Sequence, residues 1–315
     1  MLKQTFCITI CTRGRAELLK QCLESVAGEI AATGGSHSVV VVENDVGPRS
    51  AGVVHQLKSS YPGLNITYIL EPRLGISTAR NRALGLGLAS NADWIAFIDD
   101  DEVAQPGWLQ AMLRGASTLE ADVLTGPVRH VLELQPVWMR ACKFKNVARG
   151  STLSTAATNN TAVRAAWLRP HFPALSFDED FNFSGGEDSD FFYRVTDLGG
   201  RIVWVDDASL SEFVPASRLT LKYQLGRTVR VAENSFRIHR RRRGFAAAIR
   251  RYLPKAIGRM GRGVILVVSG AALRLFSKPI GARVWFDGSK ALASGVGTML
   301  GVIGVKPNPY ETVTV

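Results

Sequence analysis

Four acids in succession, Asp99-Asp100-Asp101-Glu102, directly follow the apolar run Trp94–Ile98. Packing like charges together costs free energy, so such a cluster in a folded chain points to a bound cation. Asp99 and Asp101 occupy alternate positions and can point to one side, where they would share a divalent ion. A hard ion such as Mg2+ keeps one or two protein carboxylates and fills the rest of its shell with phosphate oxygens. That suits a nucleotide diphosphate whose departure needs its charge neutralised. The plainer alternative is a solvated acidic turn capping the helix after Pro106. Position at the end of a strand favours the metal.

A second constellation is Phe183-Ser184-Gly185-Gly186-Glu187-Asp188-Ser189-Asp190. Its glycine pair delivers two adjacent acids to a helix start, and a carboxylate there suits a general base that takes a proton from an attacking hydroxyl. Acids also gather at helix starts because the dipole favours them. A third stretch, Glu71–Leu84, carries Arg73, Arg80 and Asn81 around a glycine. Arginine offers a planar fork for phosphate or a base edge; the plainer reading is a solvated helix face.

A regular scaffold stands behind these residues. Thr5–Thr12, Ser38–Val42, Ile66–Leu70 and Trp94–Ile98 read as short strands, with helix-like segments Glu17–Ile30, Ser50–Ser60 and Ser77–Ala89 among them. This alternation predicts an α/β fold with a mostly parallel sheet flanked by helices. In such sheets ligands bind beyond the carboxyl ends of the strands. The polar clusters Thr12–Arg15, Glu43–Asp45 and Asp99–Glu102 all fall there. A further helix and strand occupy Pro106–Val128. Glu187–Leu198 reads as a helix stopped by Gly199-Gly200, followed by a strand at Arg201–Val205.

With 315 residues, 46% hydrophobic and 21% charged, the chain is a globular protein and neither disordered nor collagenous. Its four cysteines, Cys7, Cys11, Cys22 and Cys142, form no C-x-x-C pair and read as reduced core thiols, in keeping with a cytoplasmic location. The short N-terminal apolar run reads as a strand and not as a signal peptide. The net charge of +11 is concentrated between Arg227 and Arg262, where twelve Lys and Arg face one acid, Glu233. Such a block points to a polyanion, either nucleic acid or an anionic membrane surface. Beyond it, Gly263–Phe276 and Ala291–Val305 are apolar, but each is shorter than the ~20 residues a spanning helix needs. They are expected to be membrane-surface or core helices.

Taken together, the blocks resemble the family 2 glycosyltransferases, whose nucleotide-sugar domain has the GT-A fold. ITICTRGRAELLKQCLESV resembles the family's opening strand, loop and helix, and VVVVENDV its second strand. RLGISTARNRAL is similar to its glycine-to-Arg-Asn segment, WIAFIDDDE to its metal-binding acids, and FDEDFNFSGGEDSDFFYRVTDLGGRIVWV to its acceptor-side block. The resemblance runs from about Thr5 to Pro215. It implies a GT-A domain over residues 1–216, while charge and hydropathy make 217–315 a basic, helical, membrane-associating region. It further implies Mn2+ or Mg2+ on Asp101, with Asp99 reaching the metal shell or the ribose. Thr12, Arg15, Glu43, Asp45, Arg80, Asp99 and Asp100 would line the nucleotide-sugar pocket. Asp188 would be the base of an inverting displacement, with Glu187 orienting the acceptor.

The chain departs from the family at several points. Cys11 and Arg13-Gly14 stand where the opening loop usually carries Pro and Tyr-Asn. Glu43 replaces an aspartate that contacts the base. Glu212 falls where a histidine is common, which makes it a candidate third metal ligand. Gln224–Thr228 has the Gln-x-x-Arg spacing of the processive synthases without their tryptophan, so a single addition is expected, with Arg227 at the diphosphate. The donor would be a UDP-sugar by default. The acceptor would be a saccharide, free or linked to a polyprenyl diphosphate, met by an enzyme peripheral at the inner face of the cell membrane. A nucleotidyltransferase with a similar acidic site and a nucleic-acid-binding protein using the basic block are the alternatives. The block has few interleaved aromatics, so nucleic acid is the weaker partner.

Overall fold

The computed structural model describes residues 4–140 and 147–306. Cys142 therefore lies outside the described residues. The chain forms two compact units. One contains the stretches ending at Val131 and Asn182, together with Glu187–Phe213. The other contains the stretch opening at Leu132, the short piece Phe183–Gly186, and everything from Val214 onward.

The first unit opens with β1 (Phe6–Thr12), β2 (Ser38–Glu43), β3 (Asn65–Leu70) and β4 (Trp94–Asp99), separated by α1 (Ala16–Thr33), α2 (Ala51–Ser60) and α3 (Ile76–Ala89). β5 (Glu102–Ala104), α4 (Trp108–Thr118), β6 (Val123–Thr125), β7 (Val128–Leu132), β8 (Thr152–Leu153), β9 (Thr161–Arg164) and α5 (Ala165–Leu168) come next. α6 (Glu187–Asp197), β10 (Ile202–Trp204) and β11 (Leu210–Val214) complete the series. One sheet of eight strands has the order β3-β2-β1-β4-β9-β6-β10-β8, and a smaller one has the order β5-β11-β7. β1 to β4 pair in parallel, whereas β9 runs antiparallel between β4 and β6. The expected mostly parallel sheet is there, with an antiparallel strand inserted in its middle.

The β-branched run of β2 is buried along nearly its whole length, as a strand covered on both faces must be. α1 buries Leu19, Cys22, Leu23, Val26 and Ile30, whose spacing of three and four residues draws one apolar face toward the sheet. Register puts the polar clusters level with each other: Thr12 lies opposite Glu43, and Cys11 opposite Asp99. The carboxyl ends of three adjacent strands therefore present their clusters at one edge.

α4 starts on Gly107, which has no side chain to cap it. Glu29, buried on α1, does so instead, accepting hydrogen bonds from the amides of Gly107 and Leu109, both at 2.9 Å. The acid run at 99–102 is thus released from the capping role that its place in the sequence allowed. Cys7, Cys11 and Cys22 are free thiols, and burial raises all three, Cys11 to about 12. Cys7 and Cys22 are core thiols and Cys11 is half-buried.

The second unit is built on α7 (Leu221–Arg243), α8 (Phe245–Leu273) and α9 (Lys278–Ile303). Here the structure departs from the sequence reading. The two short apolar runs are parts of helices of 29 and 26 residues, and α8 is long and apolar enough to cross a membrane by length and composition alone. What extends them is close packing. Small residues recur every seven positions, Ala256, Gly263 and Gly270 on α8 and Gly281, Gly288 and Gly295 on α9. A Cβ added at Gly270 would lie 2.3 Å from the backbone nitrogen of Trp285, and one at Gly288 would lie 2.7 Å from that of Val267. Only glycine lets the two backbones approach so closely along an antiparallel hairpin. Charge interrupts the hydropathy of each run, but it does not interrupt the glycine seam.

The same unit grips a short piece of chain from far upstream. Asn234 on α7 donates to the Ser184 carbonyl, and Arg237 donates to the Ser184 hydroxyl and to the Asn234 amide oxygen. Arg237 and Glu233, both buried, pair along the helix at 3.5 Å. Gly185 and Gly186 hold φ of 72° and 94°, and a Cβ at Gly186 would meet the Asn234 side chain at 3.0 Å. The glycine pair is thus required by conformation and by space.

Candidate active site

Arg80 is the centre of the constellation. It lies on α3 and is buried, with one guanidinium nitrogen on Glu187 and the other 3.2 Å from Asp99. One side chain therefore joins the end of β4 to the start of α6, with Glu187 lying 107 residues beyond Arg80. Burial of the guanidinium lowers its proton affinity, but Glu187, Asp99 and Asp188 more than restore it, so it stays charged. Removing either partner of such a pair would strand a buried charge. The sequence places Arg80 at a base or phosphate; in the fold two of its three guanidinium nitrogens hold acids.

The rest of the Glu71–Leu84 stretch is equally committed. Gly75, at φ 147°, donates its amide to Asn44, and a Cβ there would lie 2.2 Å from Asn182. Ser77 donates to the Asp178 carbonyl, the Thr78 amide donates to Asn182, and Asn81 exchanges two hydrogen bonds with the backbone of Phe177. Ser77, Thr78 and Arg80 are buried. A solvated helix face is thus excluded. The motif fastens 177–182, the segment that leads toward Glu187-Asp188.

On the β4 side, Asp100 is buried, accepting from the Thr12 hydroxyl at 2.7 Å and from Arg15 at 3.1 Å. Arg15 also reaches Asp101 at 3.2 Å. Thr12, Arg15, Asp99, Asp100 and Asp101 are thereby brought together. Desolvation raises Asp99 most; Arg80 pulls it back, while Asp101 and Asp188 push it further up. Glu102, also buried, caps the Asp99 amide at 3.0 Å, and burial beside Asp99 raises it well above the ordinary range.

Three expected residues sit elsewhere. Glu43 is fully buried, and its carboxylate is taken by the amide and hydroxyl of Ser50 and by the Tyr68 hydroxyl. A buried carboxylate must be hydrogen-bonded, so Glu43 anchors the start of α2 and has no surface to offer a base. Asp45 turns back on its own loop, accepting from the Val46 amide and pairing with Arg49 at 3.4 Å. Glu212 lies opposite Glu102 across the β5–β11 pair, 3.1 Å from His130. Asp99, Asp101 and Glu212 do not close on one point, and no group of three or more His, Cys, Asp or Glu side chains among the described residues does so. The donor set that remains is hard oxygen, two carboxylates at alternate positions. This fits a cation that completes its shell with phosphate. His130 was not singled out from the sequence. It comes from β7, in a stretch without regular pattern, and places an imidazole beside Glu212.

A family model described as glycosyl transferase family 2 matches residues 7–175. Succinoglycan biosynthesis protein ExoM of Rhizobium meliloti (strain 1021) is 34% identical over 238 residues, covering 73% of this chain and 74% of that protein. The chain belongs to glycosyl transferase family 2. Among solved structures, S. aureus TarS 1-349 is similar at a TM-score of 0.55 and 16% identity, over 96% of this chain and 92% of that one. A mannosyltransferase from Pyrobaculum calidifontis, PcManGT, in complex with GDP-Man and Mn2+, is similar at 0.60 and 15%, over 93% and 86%. These likenesses support the GT-A fold. The chain is therefore a glycosyltransferase, and the nucleotidyltransferase alternative falls away.

The buried acids of this glycosyltransferase give it a pH signature. Burial pushes Asp100 up to about 6, against Arg15 and Thr12, and pushes Glu187 up to about 7, against Arg80. Both carboxyls bind protons more tightly folded than unfolded, where the ordinary value is about 4. Their contribution to stability is therefore greatest near pH 4 and is lost as pH rises toward about 7. Metal-free protein is expected to have a lower Tm at pH 7 than at pH 4. Thermal melts in chelator across the range test this; a Tm that climbs steadily from pH 4 to 7 would refute it.

Proposed function

We propose that this glycosyltransferase adds a single sugar, with inversion, from a nucleotide-sugar to a saccharide acceptor during polysaccharide assembly. The observation that carries this reading is Arg80, which holds donor-side Asp99 and acceptor-side Glu187 about one guanidinium. Asp188, the next residue and only partly buried, stands at the start of α6 as the base. It removes the proton of an acceptor hydroxyl as that oxygen bonds to the anomeric carbon. The bond from that carbon to the diphosphate breaks on the opposite face, and the nucleoside diphosphate leaves with the electron pair. Glu187, fixed by Arg80, orients the acceptor.

Thr12, Arg15 and Asp100 form the wall of the donor pocket. Asp101, assisted by Asp99, would hold Mn2+ or Mg2+, which would neutralise the leaving diphosphate. The structures of similar fold include one with GDP-Man and Mn2+ and one of TarS 1-349 with UDP-GlcNAc. ExoM is a succinoglycan biosynthesis protein. The test is donor binding by calorimetry over UDP-, GDP- and dTDP-sugars, with and without Mn2+. Metal-dependent binding of one donor supports the reading. Binding of none of them, with or without metal, refutes it.

A lipid-linked acceptor would be met at an anionic membrane on the cytoplasmic side. α8 supports this. Opposite its glycine seam, Ile257, Val264, Ile265 and Val268 are exposed at helical spacing, with Leu275 and Phe276 beyond them at 84% and 88% exposure. Arg251, Lys255, Arg259 and Arg262 are exposed on an adjoining strip. An apolar stripe bordered by cations is the pattern of a helix lying in the membrane plane, and each cation adds about 1 kcal/mol on anionic headgroups. Ile265→Asp with Val268→Asp is expected to weaken sedimentation with anionic vesicles at least ~10-fold, at unchanged Tm. Equal sedimentation of the variant and the parent would sink the membrane reading.

A further inference from the structure

Outside the acidic site, the helical unit contains a cavity of about 380 Å³ bounded by α7, α8 and α9. Its volume is in the range of small-molecule sites. Each helix contributes one cation: Arg227 from α7, Arg259 from α8 and Lys290 from α9. Among the described residues, no acid lines it. Arg259 is steered across the hairpin by a 3.0 Å hydrogen bond to the Ser294 hydroxyl, and Lys290 is held with its ammonium 5.6 Å from the Phe286 ring. Ser235 and Thr298 add hydroxyls to the wall.

Charge balance decides what such a cavity takes. Glu233, the one acid in the block from Arg227 to Arg262, is buried and paired with Arg237. It leaves the cavity cations uncompensated. Three cations from three helices lining one space, with no acid among its lining residues, attract an anion to it. Arginine and lysine together suit phosphate, the first as a planar fork and the second as a point charge.

We propose that this cavity is an anion site for the phosphate or diphosphate of a lipid-linked substrate, distinct from the donor site at Asp99–Asp101. That the anion is carried on a lipid rests on the proposed membrane acceptor; the anion site itself rests on the cavity alone. Free phosphate compounds share the chemistry, so the test has two arms. The first titrates inorganic pyrophosphate into the full chain in excess chelator, which silences metal-dependent binding at the acidic site. The second measures capture by vesicles of neutral lipid with and without a polyprenyl diphosphate.

Arg227→Gln with Arg259→Gln changes two exposed side chains and is expected to weaken pyrophosphate binding at least tenfold. It is also expected to abolish the extra capture by diphosphate-bearing vesicles, while Arg227→Lys with Arg259→Lys retains most of both. Unchanged pyrophosphate affinity in the glutamine variant overturns the site. Weakened pyrophosphate with unchanged vesicle capture overturns the lipid assignment. Metal-dependent nucleotide-sugar binding is measured separately on the parent protein. Its absence from the parent protein would count against the proposed function and leave the anion site standing.

Discussion

Asp101→Ala is expected to cut donor affinity in Mn2+ by about 100-fold or more, and to leave the remaining affinity indifferent to chelator. Asp101 has little exposure, 10% of its side chain, and lies 3.2 Å from Arg15. Loss of its carboxylate leaves Arg15 its second partner, Asp100, at 3.1 Å. The arginine is thus not stranded, and the fold should survive. What disappears is the donor atom on which a cation would be held beside the diphosphate. Asp99 alone is a poor substitute, because Arg80 already occupies one of its oxygens. Calorimetric titration of the preferred nucleotide-sugar, with and without chelator, reads the effect. A variant that keeps the parent's metal-dependent affinity would show that the cation is held elsewhere.

Asp188→Asn is expected to behave in the opposite way, lowering kcat by roughly 100- to 10,000-fold, the usual worth of a general base, with donor affinity close to that of the parent. The amide is the same size as the acid and keeps an acceptor for the Ser189 amide, which bonds one Asp188 oxygen at 2.6 Å. The start of α6 should therefore hold. The contrast between the two variants separates the roles, one acting on the donor and the other on the acceptor's proton. Weakened donor binding at near-normal turnover in Asp188→Asn would exclude it as the base.

Much of this architecture was legible in the chain because it repeats. The four parallel strands and three helices of the first half came from period and polarity. Their register then fixed where Thr12, Arg15 and the acids at 99–101 would gather. What the sequence did not show depended on partners remote in it. Glu43 looked free to bind a ligand, but Ser50 and Tyr68 claim it. Arg80 looked like a ligand contact, but Glu187, 107 residues away, claims it. Glu29 gave no sign of capping α4, because nothing in a helix's own pattern records which neighbour lacks a cap. The length of α8 was hidden for a related reason. Hydropathy stops at its charges, whereas the helix keeps to a glycine seam that only α9 explains.

The grip of α7 on Ser184 bears on how the gene can be cut. A minimal fragment ending near residue 216 would retain every acid of the sugar-transfer site. It would also discard Asn234 and Arg237, the side chains that hold Ser184, three residues before Glu187. The glycine pair between them, at positive φ, would then lack the walls that select its conformation. A shortened protein that keeps these side chains must keep α7 and with it α9, because a Cβ at Gly297 or Gly301 of α9 would lie 2.1 Å from the Val229 carbonyl oxygen or 2.9 Å from the Phe236 ring of α7; the place to cut is not inside the helical unit.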